Sequence, residues 1–277
     1  YTPNELVKND EINATPGAYV SLVPASLSGG TWTNQGTAGT SRDGTVTGSV
    51  VVAPNLTSGF QIIGSASTAT NLATLDPISN GGNADATIEI WFKPDPGQVG
   101  KKTVFDSGGN GNGFSIVYDP ATNEVIATVD GGDDATANIV ATASGISTTA
   151  FNQVIVLIDI NGGAEVGAPS GVFEDLLSII VNNDPTLPFD PTVDATALNP
   201  SGIANDWCGT DSGGLNKIQG TTALNENLPG ATGEVAIFRA YPRLLNATEQ
   251  EANFDASFLA IAGVSATTTG GRTVTLN

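Results

Sequence analysis

The chain has no histidine and one cysteine, Cys208. A Ser-His-Asp triad, a Cys-His pair, a histidine zinc site and a cysteine-rich metal site are therefore excluded. Carboxylates are what remain for catalysis. A glycoside hydrolase needs two of them facing one groove, which a strand supplies when acids stand at i, i+2 and i+4. Two stretches come nearest and neither meets the pattern: Glu89 is followed at those offsets by Trp91 and Lys93, and Asp159 by Asn161 and Gly163. Glu249 and Glu251 lie two apart on an expected helix and share no face. A hydrolase is the remotest reading, and the chain reads as non-enzymatic.

Binding chemistry has better material. Hard cations take oxygen ligands, and Asp130, Asp133 and Asp134 around Gly131 and Gly132 form the densest acidic cluster. Asp106, Asn110 and Asn112 form a second, weaker one. Calcium is the one cofactor expected if an ion binds; a solvated hairpin tip is the simpler reading of Asp130–Asp134. Glycan recognition uses exposed aromatic faces beside polar groups, and tryptophans number only three. Trp91 sits in strand alternation and reads as core. Trp32 and Trp207 lie in loop-like surroundings and are the stacking candidates, with packing beneath a loop as the competing reading.

Cys208, beside Trp207, cannot form an intramolecular disulfide and reads as a buried thiol ahead of an intermolecular bridge. The sequons at Asn13, Asn55 and Asn246 are no more than the composition provides. Asn246 is better read as a helix N-cap.

Nine basic residues against 28 acidic ones give a net charge of −19, which repels nucleic acid and anionic lipid. Acidic chains rich in Thr and Asn without His or Met resemble prokaryotic surface-layer and other extracellular structural proteins. No methionine occurs and the first residue is Tyr1, so removal of an upstream segment is expected, a secretory signal being the usual one, although trimming leaves the same start. No apolar run approaches the roughly 18–20 residues that span a bilayer. An apolar fraction of 39% supports a substantial core in one large domain.

Strand signals recur along the chain, bounded by Gly, Pro and Asn. They include Thr45–Val52, Gly59–Ile63, Ala86–Phe92, Lys102–Phe105, Phe114–Tyr118, Glu124–Val129, Ala137–Thr142 and Gly233–Tyr241. Gln153–Ile160 and Leu176–Val181 are near-continuous apolar runs, as central strands covered on both faces require. Pro185–Leu228 reads as a long loop of the kind that holds functions or interfaces. Asn246-Ala247-Thr248-Glu249 is a capping-box variant that opens a helix running to about Ala260.

Five segments in order resemble concanavalin A-like, laminin-G-like jelly-roll domains. They are Ala18–Leu22 with Ser28–Gly36 (a W-x-N-x-G segment), Thr87–Pro94, Thr103–Gly109, Ser178–Asn183, and the closing strand and helix over Gly233–Asn253. The match covers residues 17 to 258. One departure is Phe151-Asn152, where the family usually carries a Trp-His pair. The resemblance implies two antiparallel sheets and, in many members, a calcium or glycan site in the loops of one edge, but no activity.

The expected architecture is all-β: a two-sheet antiparallel β-sandwich (jelly roll) with one short C-terminal helix. Residues 1–16 form an N-terminal extension, 17–260 the sandwich and 261–277 a β-prone tail. Three functions remain. The first is a secreted or cell-surface structural or adhesive protein whose partners are copies of itself or extracellular matrix. The second is a glycan-binding, lectin-like module, and the third, remote, is a hydrolase. For assembly, the alternating tail residues Val264, Thr273, Val274 and Leu276 are candidates for adding to a neighbour's sheet edge. Pairing of the tail within its own chain is the simpler alternative.

Overall fold

A computed structural model of the chain describes residues 14–52, 61–65, 67–70, 85–109, 112–131, 139–159, 175–182, 192–198, 214–215, 228–262, 266–267 and 273–274. In chain order the first strands are β1 (Val20–Leu22), β2 (Leu27–Ser28), β3 (Thr31–Trp32), β4 (Gly44–Thr47), β5 (Val50–Val52), β6 (Gln61–Ile63) and β7 (Thr68–Thr70). The middle of the chain supplies β8 (Ala86–Pro94), β9 (Lys102–Gly109), β10 (Asn112–Asp119), β11 (Glu124–Gly131), β12 (Ile139–Ser144) and β13 (Asn152–Asp159). β14 (Asp175–Asn182), β15 (Thr192–Leu198), β16 (Gly214–Leu215) and β17 (Gly233–Tyr241) complete the sandwich, followed by helix α1 (Ala247–Ala262).

One sheet has eight strands in the order β15-β14-β13-β8-β17-β6-β5, with β1 also paired to β17. The other has nine, β12-β11-β10-β9-β16-β7-β4-β3-β2. Neighbouring strands in both pair antiparallel, as in the jelly roll the sequence predicts.

The alternation read in the sequence decides which side chains meet between the sheets. Ile88, Ile90 and Phe92 of β8, Val154, Val156 and Ile158 of β13, and Phe238 of β17 face Phe114, Ile116 and Tyr118 of β10 across one core. Phe105 stacks on Phe238 at a centroid distance of 5.1 Å. The apolar runs at Gln153–Ile160 and Leu176–Val181 become the adjacent strands β13 and β14, with every described position of β13 buried or half-buried. The run at Thr45–Val52 is cut in two: Gly48 at φ +108° ends β4, and β5 continues in the opposite sheet. Only glycine takes that angle without strain.

The expected helix forms as α1, the one α-helix among the described residues. Its cap is reciprocal, with Glu249 N donating to Asn246 Oδ1 (3.1 Å) and Asn246 N donating to Glu249 Oε2 (3.0 Å). In the tail, β18 (Ala266–Thr267) pairs antiparallel with β19 (Thr273–Val274), within the chain.

Candidate functional site

Helix α1 lies against the outer face of the eight-stranded sheet, and what it covers is polar. Glu89, fully buried, points away from the core and gathers donors from three strands and the helix. Its Oε1 accepts from Trp91 Nε1 (2.8 Å), Gln153 Nε2 (2.9 Å) and Arg239 (3.1 Å); its Oε2 accepts from Arg239 (3.1 Å) and Asn253 Nδ2 (2.8 Å). Arg239 also donates to Ser257 Oγ at 2.9 Å. Tyr241 Oη accepts from Asn253 and donates to the Thr15 carbonyl. Burial pushes the Tyr241 phenol up to about 12. Glu89 has its charge balanced and its lone pairs taken, so it is an anchor for α1 and not a glycosidase acid.

Beside this network the outer face opens into a cavity of ≈ 440 Å³ against β1, between residues 14–18, the Val23–Ser26 turn and the loop at Gln35–Thr37. Its lining includes Pro16, Ala25, Ser21, Gln35 and Thr37, and among the described residues its only charged member is Arg239, already paired with Glu89. The W-x-N-x-G segment builds the wall. Trp32 is buried in the core and its indole N–H donates to the Val23 carbonyl at 2.8 Å, fixing the turn. Asn34 Oδ1 accepts from Ser21 N (2.7 Å) and Gly36 N (2.8 Å), stitching the loop to β1. A Cβ on Gly36 would stand 2.8 Å from the Ala18 carbonyl oxygen, so glycine permits the close approach.

A second recess of ≈ 400 Å³, between Asp159, Ser178 and the α1 N-terminus, is lined by the Arg243–Glu249 ion pair. Arg243 donates to both Glu249 oxygens (2.8 and 2.7 Å) and holds that carboxyl below its usual range.

These positions correct one expectation. Trp32 is no stacking platform: both faces of its ring are in the core because β3 directs it inward. Trp207 lies outside the described residues, as do Asp133, Asp134, Cys208, Asn13 and Asn55. Asp130 stands near the end of β11, opposite Gly113 of β10. Asn112 pairs with both Gly109 and Gly131, so the two acid- and Asn-rich tips adjoin at one end of the sheet. Among the described residues no group of three or more acidic or thiol side chains is placed to hold a metal. Of the assembly candidates, Thr273 and Val274 pair with Thr267 and Ala266, while Val264 and Leu276 lie outside the described residues. The sequence reading missed Asn34, Arg239 and the cavity; the W-x-N-x-G spacing was the available signal for the first.

A family model, the concanavalin A-like lectin/glucanases superfamily, matches residues 67–166. No curated protein matches the chain. Among solved structures, the binding domain of botulinum neurotoxin DC in complex with SialylT superposes with a TM-score of 0.58 at 11% identity, over 87% of this chain and 51% of that one. The botulinum neurotoxin serotype C1 binding domain gives 0.55 at 14% identity, over 87% and 52%. A structure titled for the dependence of type C neurotoxin cell entry on two ganglioside molecules gives 0.52 at 14% identity, over 90% and 52%. The chain spans about half the length of these solved chains, and at such identities the likeness is one of fold. Sheet order defines the class as a two-sheet antiparallel jelly roll, and within it residues 67–166 are similar to the concanavalin A-like model.

Proposed function

We propose that the protein is a non-catalytic, lectin-like module that binds uncharged glycans outside the cell. The observation that carries this reading is the cavity on β1. In a chain of net charge −19 this recess has no carboxylate among the described residues of its lining, which are hydroxyl, amide and aliphatic groups beside the paired Arg239. Such a surface suits a sugar, whose hydroxyls and C–H faces need both kinds of contact, and supplies nothing to pair a charged ligand. The buried, fully occupied Glu89 supports the absence of hydrolysis. No helix among the described residues is long and apolar enough to cross a membrane.

Similar folds titled as binding domains support a binding role by analogy of fold alone, and the SialylT named in one title, being anionic, lies outside the neutral class proposed here. Calcium at the β11 tip, at Asp130 with Asp133 and Asp134 of the sequence cluster, belongs to the proposal, as an ion ordering that end of the sheet. The sequence alone ranks self-assembly into a filament, tube or layer first. That ranking rests on scarce aromatics, the missing catalytic set and tails outside any recognisable site; the cavity on β1 is what moves the glycan reading ahead of it. The test is a glycan array probed with the full chain. Binding to neutral glycans, weakened by Gln35→Ala and Thr37→Val, is expected; silence across the array overturns the proposal.

A further inference from the structure

Helix capping and sugar attachment, which compete for Asn246 in the sequence, use different atoms of its side chain. Oδ1 is the capping atom and accepts from Glu249 N at 3.1 Å, while Asn246 N donates to Glu249 Oε2 at 3.0 Å. The planar amide turns Nδ2 away from that N–H, and among the described residues Nδ2 has no hydrogen-bond partner. An asparagine amide has two N–H groups and one carbonyl oxygen. A sugar joined to Nδ2 replaces one hydrogen and leaves the capping oxygen in place.

The sequon also stands on the surface at a fixed position. Asn246, Ala247 and Thr248 are all exposed, yet the residue before them is pinned. Leu245 is buried; its N–H donates to Thr87 Oγ1 (3.0 Å) and its carbonyl accepts from Gln250 Nε2 (2.7 Å). Thr87 Oγ1 donates in turn to the Arg243 carbonyl at 2.9 Å. Asn246 borders the recess of ≈ 400 Å³ that Asp159, Ser178, Arg243 and Glu249 line with polar groups and Leu157 and Leu244 with apolar ones. Both the hydroxyls and the C–H faces of a sugar find contacts there. Composition accounts for the sequon, but not for its exposure, its open Nδ2 and the recess at its side.

We propose that Asn246 carries an N-linked saccharide whose first sugar lies over this recess. In the transfer, the bond from Nδ2 to the anomeric carbon forms as the bond from that carbon to the phosphate oxygen of a lipid-linked saccharide donor breaks. The phosphate leaves with the electron pair, and one Nδ2 proton passes to a basic group of the transferase. Attached sugars of this kind are bulky and belong on surfaces, as here. The inference goes beyond the glycan-binding reading and shares with it only a location outside the cell.

The test is peptide mass spectrometry on the full chain purified from the cells that naturally make it, with electron-transfer fragmentation to place any added mass. Trypsin releases Leu244–Arg272, in which Asn246 stands in the only sequon. Thr248→Ala removes the sequon hydroxyl and keeps the cap; Thr248→Ser keeps both. Saccharide mass on Asn246 in the wild type and in Thr248→Ser, and none in Thr248→Ala, is expected. Wild-type chain made in a host without the transferase should melt about 2–4 °C lower than the glycosylated form, the shift that one lost contact of hydrogen-bond size gives in a chain this long. A bare Asn246 in the native protein overturns the inference, as does added mass confined to Thr267–Thr269. Equal midpoints for the bare and glycosylated forms overturn the seating over the recess. The glycan array reads none of these outcomes, so this inference and the binding reading fail separately.

Discussion

Replacing Arg239 with methionine measures what fastens helix α1 to the sandwich. The guanidinium and Glu89 are 2% and 0% exposed, so the substitution leaves a carboxylate in the interior facing only the neutral donors of Trp91, Gln153 and Asn253. Removing one member of a buried pair costs about 3–5 kcal/mol. Ser257 also loses its donor, worth roughly another 1 kcal/mol. Against a total stability of about 5–15 kcal/mol, that is a large share. Adding Glu89→Gln removes the stranded charge, and the new amide oxygen still accepts from Trp91 and Gln153. The double variant is therefore more stable than the sum of the single effects by about 2 kcal/mol. Urea titration followed by tryptophan emission is the assay, because Trp91 stacks on Phe254 of α1 at 5.6 Å and reports helix docking. An Arg239→Met loss below about 1 kcal/mol, or additivity within about 0.5 kcal/mol, would refute the anchoring argument.

Five further outcomes are expected. Asn246→Ala removes the acceptor for Glu249 N and lowers stability by about 1 kcal/mol in urea titration. The carboxyl of Glu249 is held down chiefly by Arg243, so its contribution is full above the usual value of 4.5 and fades as pH falls through the lowered one. Glu249→Gln should flatten that part of the stability profile, by under about 1 kcal/mol since the pair is partly exposed. Tyr241 contributes stability below its ordinary value of 10.0 that is lost as pH rises through about 12. In an ultraviolet titration one phenol should ionise only as the protein unfolds. Gly36→Ala forces the loop from β1 and should lower the thermal midpoint and glycan binding together. Chelation should lower the melting temperature if calcium orders the β10–β11 end, since an ion bound only by the native state stabilises it.

Periodicity recovered the parts of the fold that periodicity controls. The alternation in Thr87–Phe92 gave β8, and the capping pattern at Asn246–Glu249 gave the start of α1 within one residue. What alternation cannot state is what covers the outer face. The sequence therefore rejects Glu89 as a catalytic carboxylate but does not show that α1 buries it. Trp32 failed for a related reason: Gly29 and Gly30 made its surroundings look like loop, yet two residues of strand suffice to aim a ring inward. The cavity needs long-range placement, bringing residues 14–18 against Arg239 and Tyr241 from the far end of the sequence, and no local pattern carries that.

One consequence follows from Thr15. Its amide donates to Asn253 Oδ1 at 2.7 Å across 238 positions of sequence, and its carbonyl accepts from Tyr241. The path into the sandwich and the path out of it are thus tied at one spot, on the helix side. A domain with that arrangement can be spliced into a surface loop of a host protein without stretching the host chain. It can also be circularly permuted: joining the two paths by a short linker and opening the exposed turn at Ala121–Asn123 keeps every sheet pairing intact. For display or biosensor work, the natural attachment point is one face of the molecule, with the nine-stranded sheet turned away from the carrier.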